Sequence, residues 1–419
     1  MTGGYDAAVV HREFDRLLRE RRLQTVFQPI VHLDTGATIG YEALVRGPMR
    51  SPLARPDALL AAAYQTNHVV EFDWVARASA CRAAMAAGLD KDQLLFLNIE
   101  PLALDSDAPR DLWPDIKKAF DMFQVVLEIT ERSLDRDPGS LLDGLDRQRP
   151  IVAGLALDDV GSNPLTLSML PIIAPAVIKL DPRITQADPI PTTPQVLDAV
   201  YREAERTGAT ILAEGIETAE QSHLARSLGA DLGQGRYFGA PVSLAERATR
   251  TNRAVHLRAT TPLTVATPFD ALRGHLTGRA TASLLISLGH QLQSCGVDPP
   301  VPALLLTHVP DPHLFGPTER RRLARLVDPG VLVAVLGPGV PAEPGDGIRG
   351  VGLRGEPDLV GEWAVVALST CSAGALLARA LPGNQTEFEF GITHDTPRVI
   401  AAARCLLRRL GAPTPRFKP

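Results

Sequence analysis

The residues Ala156-Leu157-Asp158-Asp159-Val160-Gly161 set two adjacent carboxylates and a glycine at the end of an apolar run that begins at Ile151. Two acids at the carboxyl end of a buried strand are costly to desolvate unless a cation sits on them. The pattern of apolar run, then acid, amide or amine, recurs in five other places. These are Tyr41-Glu42-Ala43-Leu44, Phe96-Leu97-Asn98-Ile99-Glu100, Val126-Leu127-Glu128-Ile129-Thr130-Glu131, Ile178-Lys179-Leu180-Asp181 and Leu212-Ala213-Glu214-Gly215. Glu42, Asn98, Glu128, Asp158, Asp159 and Glu214 offer hard oxygen ligands, which suit Mg²⁺ or Mn²⁺ better than zinc. Five carboxylates around one point repel one another unless divalent cations lie among them. Two ions would use the adjacent Asp158 and Asp159 economically, activating water and clamping a phosphodiester for in-line attack. Lys179 could orient that water or neutralise developing charge, and Arg46 could grip a phosphate as a bidentate fork. Any one of these acids alone reads as a helix cap or a surface charge. Together, at successive strand ends, they read as one site. Glu100 and Asp181 stay outside the metal set, as supporting groups or solvated charges.

The elements that would position these groups follow from hydrophobic periodicity. Residues from about His11 to Leu23 carry apolar positions at helical spacing among many charges. Strands then fall at 25–31 and 39–45, and the turn at Asp34-Thr35-Gly36 makes them an antiparallel pair. Helices are expected near 57–66, 71–88, 138–147, 194–206 and 217–229. Strands are expected near 93–98, 123–130, 150–157, 175–181, 209–214 and 232–238. Eight strands alternating with helices in about 240 residues describe a (β/α)₈ TIM-type barrel of the α/β class, whose functional groups sit at the carboxyl ends of its strands. The expected division is a barrel over 1–245, a linker over 246–267 and a smaller α/β domain over 268–419. In that second domain, helices are expected at 281–295, 318–326, 371–381 and 396–410. Its strands are expected near 302–308, 331–336, 347–353, 362–368 and 386–393.

The 419 residues fit two domains, and 45% hydrophobic with 22% charged residues is ordinary for a soluble globular protein. A net charge of −5 and a sequence pI near 6.1 argue against a duplex nucleic-acid surface. Cys81, Cys295, Cys371 and Cys405 are scattered, with no CxxC. They read as buried thiols in a reducing cytoplasm. No signal-peptide pattern and no 18-residue apolar run is seen, so a membrane span is not expected.

These motifs resemble the EAL-domain family of cyclic di-GMP phosphodiesterases. The resemblance rests on Gln28-Pro29-Ile30, Glu42-Ala43-Leu44-Val45-Arg46, Asn98-Ile99-Glu100, Glu128-Ile129-Thr130-Glu131, Asp158-Asp159-Val160-Gly161, Lys179, Glu214-Gly215-Ile216-Glu217 and Gln234-Gly235, and it covers about residues 10–245. It implies a modified barrel with one antiparallel strand and hydrolysis of cyclic di-GMP to linear pGpG with two Mg²⁺ or Mn²⁺ ions. It implies metal ligation by Glu42, Asn98, Glu128, Asp158, Asp159 and Glu214. Water would be activated by Glu214, or by the metals with Lys179. Arg46, Gln234, Gln28 and Leu44 would contact substrate, Glu131 would brace the loop after Asp159, and the barrel would form a homodimer. Members of the family usually read Asp-Asp-Phe-Gly-Thr-Gly-Tyr-Ser-Ser-Leu where this chain has Asp158-Asp159-Val160-Gly161-Ser162-Asn163-Pro164-Leu165-Thr166-Leu167. Asn163 tolerates a positive φ, whereas Pro164 disfavours helical geometry at Asn163 and fixes a turn. That change keeps open a rival reading, a non-catalytic receptor for cyclic di-GMP.

The second domain resembles the DICT domain, a sensory module found beside cyclic di-GMP enzymes. This rests on Gly347-Ile348-Arg349-Gly350-Val351, Glu362-Trp363-Ala364-Val365-Val366-Ala367-Leu368 and Phe388-Glu389-Phe390-Gly391-Ile392-Thr393-His394-Asp395. Trp363 reads as a packing anchor. The basic stretch from Glu319 to Arg325 reads as a solvated face, with a contact to the barrel as the lesser reading.

Overall fold

The computed structural model describes residues 6–89, 91–130, 137–186, 192–244, 256–295, 302–328, 330–353 and 356–411. Eight strands close a barrel: β1 (Gln24–His32), β2 (Thr38–Arg46), β3 (Leu94–Ile99), β4 (Gln124–Thr130), β5 (Gly154–Val160), β6 (Val177–Leu180), β7 (Thr210–Ala213) and β8 (Leu232–Gln234). β1 runs antiparallel to both neighbours, β2 and β8, and every other pair is parallel. The chain is therefore an α/β protein with a modified TIM-type barrel.

Helices surround the barrel: α1 (Ala7–Arg19), α2 (Pro56–Gln65), α3 (Val69–Ala86), α4 (Trp113–Met122), α5 (Pro138–Gln148), α6 (Pro164–Ile173), α7 (Pro182–Thr185), α8 (Thr193–Thr207) and α9 (Ala219–Ser227). Proline opens most of them at a position whose N–H has no intrahelical partner anyway. The sequence reading missed α4, α6 and α7. The turn expected at Pro164 is instead the start of α6. Asn163 takes an extended φ of −130° and caps that helix, its side chain accepting the N–H of Leu165 at 3.0 Å.

A second, seven-stranded sheet has the order β12-β11-β10-β13-β14-β15-β9. Its elements are β9 (Gly278–Thr281), α10 (Ala282–Cys295), β10 (Ala303–His308), α11 (Pro317–Ala324), β11 (Val331–Gly337), β12 (Arg349–Gly352), β13 (Glu362–Ser369), β14 (Ala373–Leu381), β15 (Asn384–Thr393) and α12 (Thr396–Leu407). Residues 371–381, read as a helix, are mostly strand β14. Its Ala- and Leu-rich sequence favours helix locally, but antiparallel pairing on both sides, to β13 and β15, overrides that preference. Trp363 is the packing anchor expected, 5% exposed and edge-on to Phe388 with centroids 5.7 Å apart. Asp395 caps α12 by accepting the N–H of Arg398, and the His394 ring meets the Ala373 carbonyl at 2.9 Å. Cys81 and Cys405 are buried thiols, whereas Cys371 is exposed, against the sequence expectation.

The two sheets are joined by one continuous apolar core. Leu167, Leu170 and Leu142 from the barrel's outer helices lie in the same buried cluster as Leu304, Leu306, Leu336 and Val399. Arg404 of α12 and Arg408 at its C-terminal cap both meet Asp146 of α5. Among the described residues no helix is long and apolar enough to cross a membrane.

Candidate active site

Successive residues of a strand face opposite sides, so residues two apart share a face. Inside the barrel that rule builds two layers. Ile30, Leu94, Phe96, Val126, Ala156, Val177, Leu212 and Leu232 belong to a separate buried cluster that fills the interior. Two residues nearer the rim stand Gln28, Asn98, Glu128, Asp158, Lys179, Glu214 and Gln234, with Glu42 on β2 paired directly to Gln28. An apolar plug thus closes the barrel beneath a polar layer, and the water-poor floor strengthens every interaction above it.

Lys179 is the hub of that layer. It is completely buried, and its Nζ lies 2.8 Å from Glu128, 2.9 Å from Asp158, 2.8 Å from Glu214 and 3.8 Å from Glu42. Burial works against its charge, but the carboxylates, Asp158 foremost, hold its pKa well above the usual lysine value. Burial and then the charge of Glu42 push the Glu128 pKa well above the usual carboxylate range. Glu214 is raised likewise, by burial against the pull of Lys179, with Asp158 and Glu42 adding repulsion. Around the hub, Gln234 donates to Glu42 at 2.6 Å and to Gln28 at 3.3 Å, and Asn98 donates to the other Glu42 oxygen at 3.2 Å.

Adjacent aspartates on a regular strand would point to opposite faces. Here the β5–β6 pairing shifts register between Leu157 and Val160, and Asp159 adopts a φ of +55°. This bulge re-aims the second carboxylate. Asp158, Asp159 and Glu214 each bring an oxygen within 4.8 Å of the others. The set fits a hard divalent cation on two grounds. Its donors are all oxygen. Glu128, moreover, is 0% exposed; its Oε1 meets the Lys179 ammonium at 2.8 Å, but its Oε2 has no partner among the described residues, a condition a buried carboxylate oxygen rarely keeps unless a further cation reaches it.

Arg46 is half-buried at the end of β2, donating to the Val45 carbonyl at 2.8 Å. Burial lowers its pKa, with Glu42 opposing. Leu44, Glu42 and Asn98 line a cavity of about 230 Å³ between β2, β3 and α3. Glu131 lies outside the described residues. Glu100 accepts from Tyr64 at 2.8 Å, and Asp181 caps α7. Sequence reasoning missed a buried pair in the cavity wall, Asp73 with Arg77, both under 5% exposed. The Arg77 guanidinium lies 3.7 Å over the Trp74 ring, and Asp73 accepts the N–H of Glu100 at 2.8 Å. The i,i+4 spacing on a helix rich in alanine and valine was the available signal.

A barrel whose polar side chains gather at the carboxyl ends of its strands has the build of a TIM-type enzyme. The EAL domain family matches residues 11–241, more than half of this chain, and the chain belongs to that family. The cyclic di-GMP phosphodiesterase PA2567 of Pseudomonas aeruginosa is 31% identical over 233 residues, covering 53% of this chain and 39% of the relative. The cyclic di-GMP phosphodiesterase RocR of the same organism is 29% identical over 235 residues, covering 54% of this chain and 59% of the relative. The chain therefore spans less than two thirds of the length of these curated relatives. Among solved structures, BlrP1 of Klebsiella pneumoniae in a manganese and cy-diGMP complex is 28% identical with a TM-score of 0.46, covering 52% of this chain and 56% of that one.

Proposed function

We propose that this protein hydrolyses cyclic di-GMP to linear pGpG in a reaction that depends on Mg²⁺ or Mn²⁺. The observation that carries the reading is the convergence of Asp158, Asp159 and Glu214 within 4.8 Å of one another, beside the buried Glu128 and Lys179. Glu42, Asn98, Glu128, Asp158, Asp159 and Glu214 would hold two ions, which supply a lowered water pKa and a clamp on the diester. Lys179 keeps a positive charge among these carboxylates and can stabilise charge that develops on the phosphoryl oxygens. Glu214 would take the water's proton, and Arg46 would fork a phosphate oxygen. Gln234 donates to both Glu42 and Gln28, and Gln234 and Gln28, with Leu44, would meet the nucleotide at the β1–β2 side of the rim. Glu131 would brace the loop after Asp159.

The segment over 268–419 we read as a DICT-like sensory domain that sets the rate in response to a signal of unassigned chemistry, with 246–267 as its linker. The whole is read as a cytoplasmic protein that binds no duplex nucleic acid. Because α6 is covered by the chain's own second sheet and α12, a homodimer through the barrel would use another face.

The test is turnover. Full-length protein and Asp159→Ala are incubated with cyclic di-GMP and Mg²⁺ or Mn²⁺, and the products are resolved by chromatography. Formation of pGpG by the wild type and not by Asp159→Ala supports the reading. Binding without cleavage in either metal would replace it with the receptor.

A further inference from the structure

Helix α6, which follows the paired aspartates, is gripped at both ends by the C-terminal part of the chain. At its start, Pro164 meets Gly330 in the turn before β11. A Cβ on Gly330, whose φ is +96°, would lie 2.9 Å from the Cβ of Pro164. At its end stands Arg404 of α12, 1% exposed. Its Nη1 donates to the Ile172 carbonyl, and its Nη2 donates to the two Asp146 oxygens at 2.7 and 2.6 Å. Arg149 of the barrel completes this end, donating to the carbonyls of Ile173 and Ala174. The last carbonyls of a helix have no partner within it, and guanidinium groups there satisfy them and complement the helix dipole.

The grip matters because of Asp159. A non-glycine residue at positive φ is strained, and the strain persists only where the surroundings over-determine it. On one side Asp159 is fixed by β5, which is paired to β4 and β6. On the other, a short connection ties it to α6. The Asp159 carbonyl accepts the N–H of Ser162 at 3.1 Å, Asn163 caps the helix, and Pro164 begins it. If α6 were free to tilt, Asp159 could relax to ordinary backbone geometry and carry its carboxylate away from Asp158 and Glu214.

We infer that Arg404 is a positioning residue for the candidate metal centre. Through α6 it holds the Asp159 bulge in register, so the C-terminal domain supports the site rather than restraining it. The inference rests on the metal-dependent reading above and adds a part of the chain that the six ligands do not include.

The experiment uses full-length wild type, Arg404→Met, Arg404→Lys and Gly330→Ala. Hydrogen–deuterium exchange without metal follows peptides spanning Val160 to Leu170, and Mn²⁺ affinity is read by paramagnetic resonance titration. Arg404→Met and Gly330→Ala should exchange faster across that segment, while β1–β3 peptides stay as in the wild type. Mn²⁺ affinity should weaken about 10-fold, the low end of what losing a group that orients a metal ligand costs. Arg404→Lys, which keeps the charge without the fork, should fall between. A lower Tm with wild-type exchange and wild-type Mn²⁺ affinity would mean Arg404 is merely structural, and the inference would be overturned. If Arg404→Met does not fold, Arg404→Lys and Gly330→Ala decide by the same criteria. Wild type that bound no Mn²⁺ would sink the metal-dependent reading, whereas the exchange comparison needs no metal and still judges the clamp.

Discussion

Replacing Lys179 with methionine asks what neutralises the carboxylates of the barrel rim. Its ammonium lies 2.8 or 2.9 Å from three acids, Glu128, Asp158 and Glu214. At an effective dielectric near 20, each such pair is worth roughly 6 kcal/mol before the cost of burying the charges. That cost and the repulsion among the acids cancel most of the gain. Breaking a buried pair by removing one partner nonetheless costs about 3–5 kcal/mol, because the acids left behind are uncompensated. In EDTA, Lys179→Met should therefore unfold about 3–6 °C below the wild type. Divalent cations can take over the neutralisation, so saturating Mn²⁺ should raise the variant's Tm more than the wild type's and narrow the gap. Turnover should still drop about 100-fold or more, since the buried positive charge at the phosphoryl group is gone. Differential scanning fluorimetry in EDTA and in Mn²⁺, run beside the pGpG assay, checks both halves. A gap under about 2 °C in EDTA, or one that Mn²⁺ leaves unchanged, would refute Lys179 as the counter-ion of these acids.

Three further outcomes are expected. Asp159→Gly and Asp159→Ala should both lose turnover, but the glycine variant should be more stable by about 1 kcal/mol in urea unfolding, because only glycine accepts the +55° φ without strain. Glu128→Gln should raise Tm in EDTA at neutral pH while abolishing activity. The folded state raises the Glu128 pKa, so its ionised form opposes folding once the pH exceeds the unfolded carboxyl value. His308 is 1% exposed, and burial pushes its imidazole down to about 4. Its folded pKa is depressed, so stability is full above about pH 6.5 and falls as the unfolded chain takes up the proton. His308→Gln should remove about 2 kcal/mol of the wild-type loss between pH 7 and pH 5, read by urea titrations at the two values.

The candidate site was legible because its geometry is periodic. Val126 then Glu128, Ala156 then Asp158 and Val177 then Lys179 each place an apolar residue below a polar one on the same strand face, and a spacing of two survives any error in strand boundaries. Where tertiary contacts decide, the sequence misleads. Ala373 to Leu381 reads as helix from its own residues and is strand because β13 and β15 flank it. Helix α6 was hidden by Pro164 at its start and Pro171 within it, both of which argue locally against a helix. No local pattern announces the Asp159 bulge, whose φ depends on what holds both ends of a four-residue connection.

The same physics bears on how the two parts of the chain relate. A sensory module tethered only by a linker would leave the barrel's outer helices polar. Instead α5 and α6 pack against α12, α6 packs against β10, and their Leu142, Leu167 and Leu170 fall in one buried cluster with Leu304, Leu306 and Val399. Removing residues beyond Leu244 would expose that face together with Asp146, which accepts from both Arg404 and Arg408. The isolated barrel should therefore aggregate or unfold earlier than the full chain, seen as light scattering and a lower Tm. A monodisperse barrel with the full-chain Tm and full turnover would show that the shared core is dispensable. The C-terminal part would then be an attachment to the catalytic fold and not a portion of it.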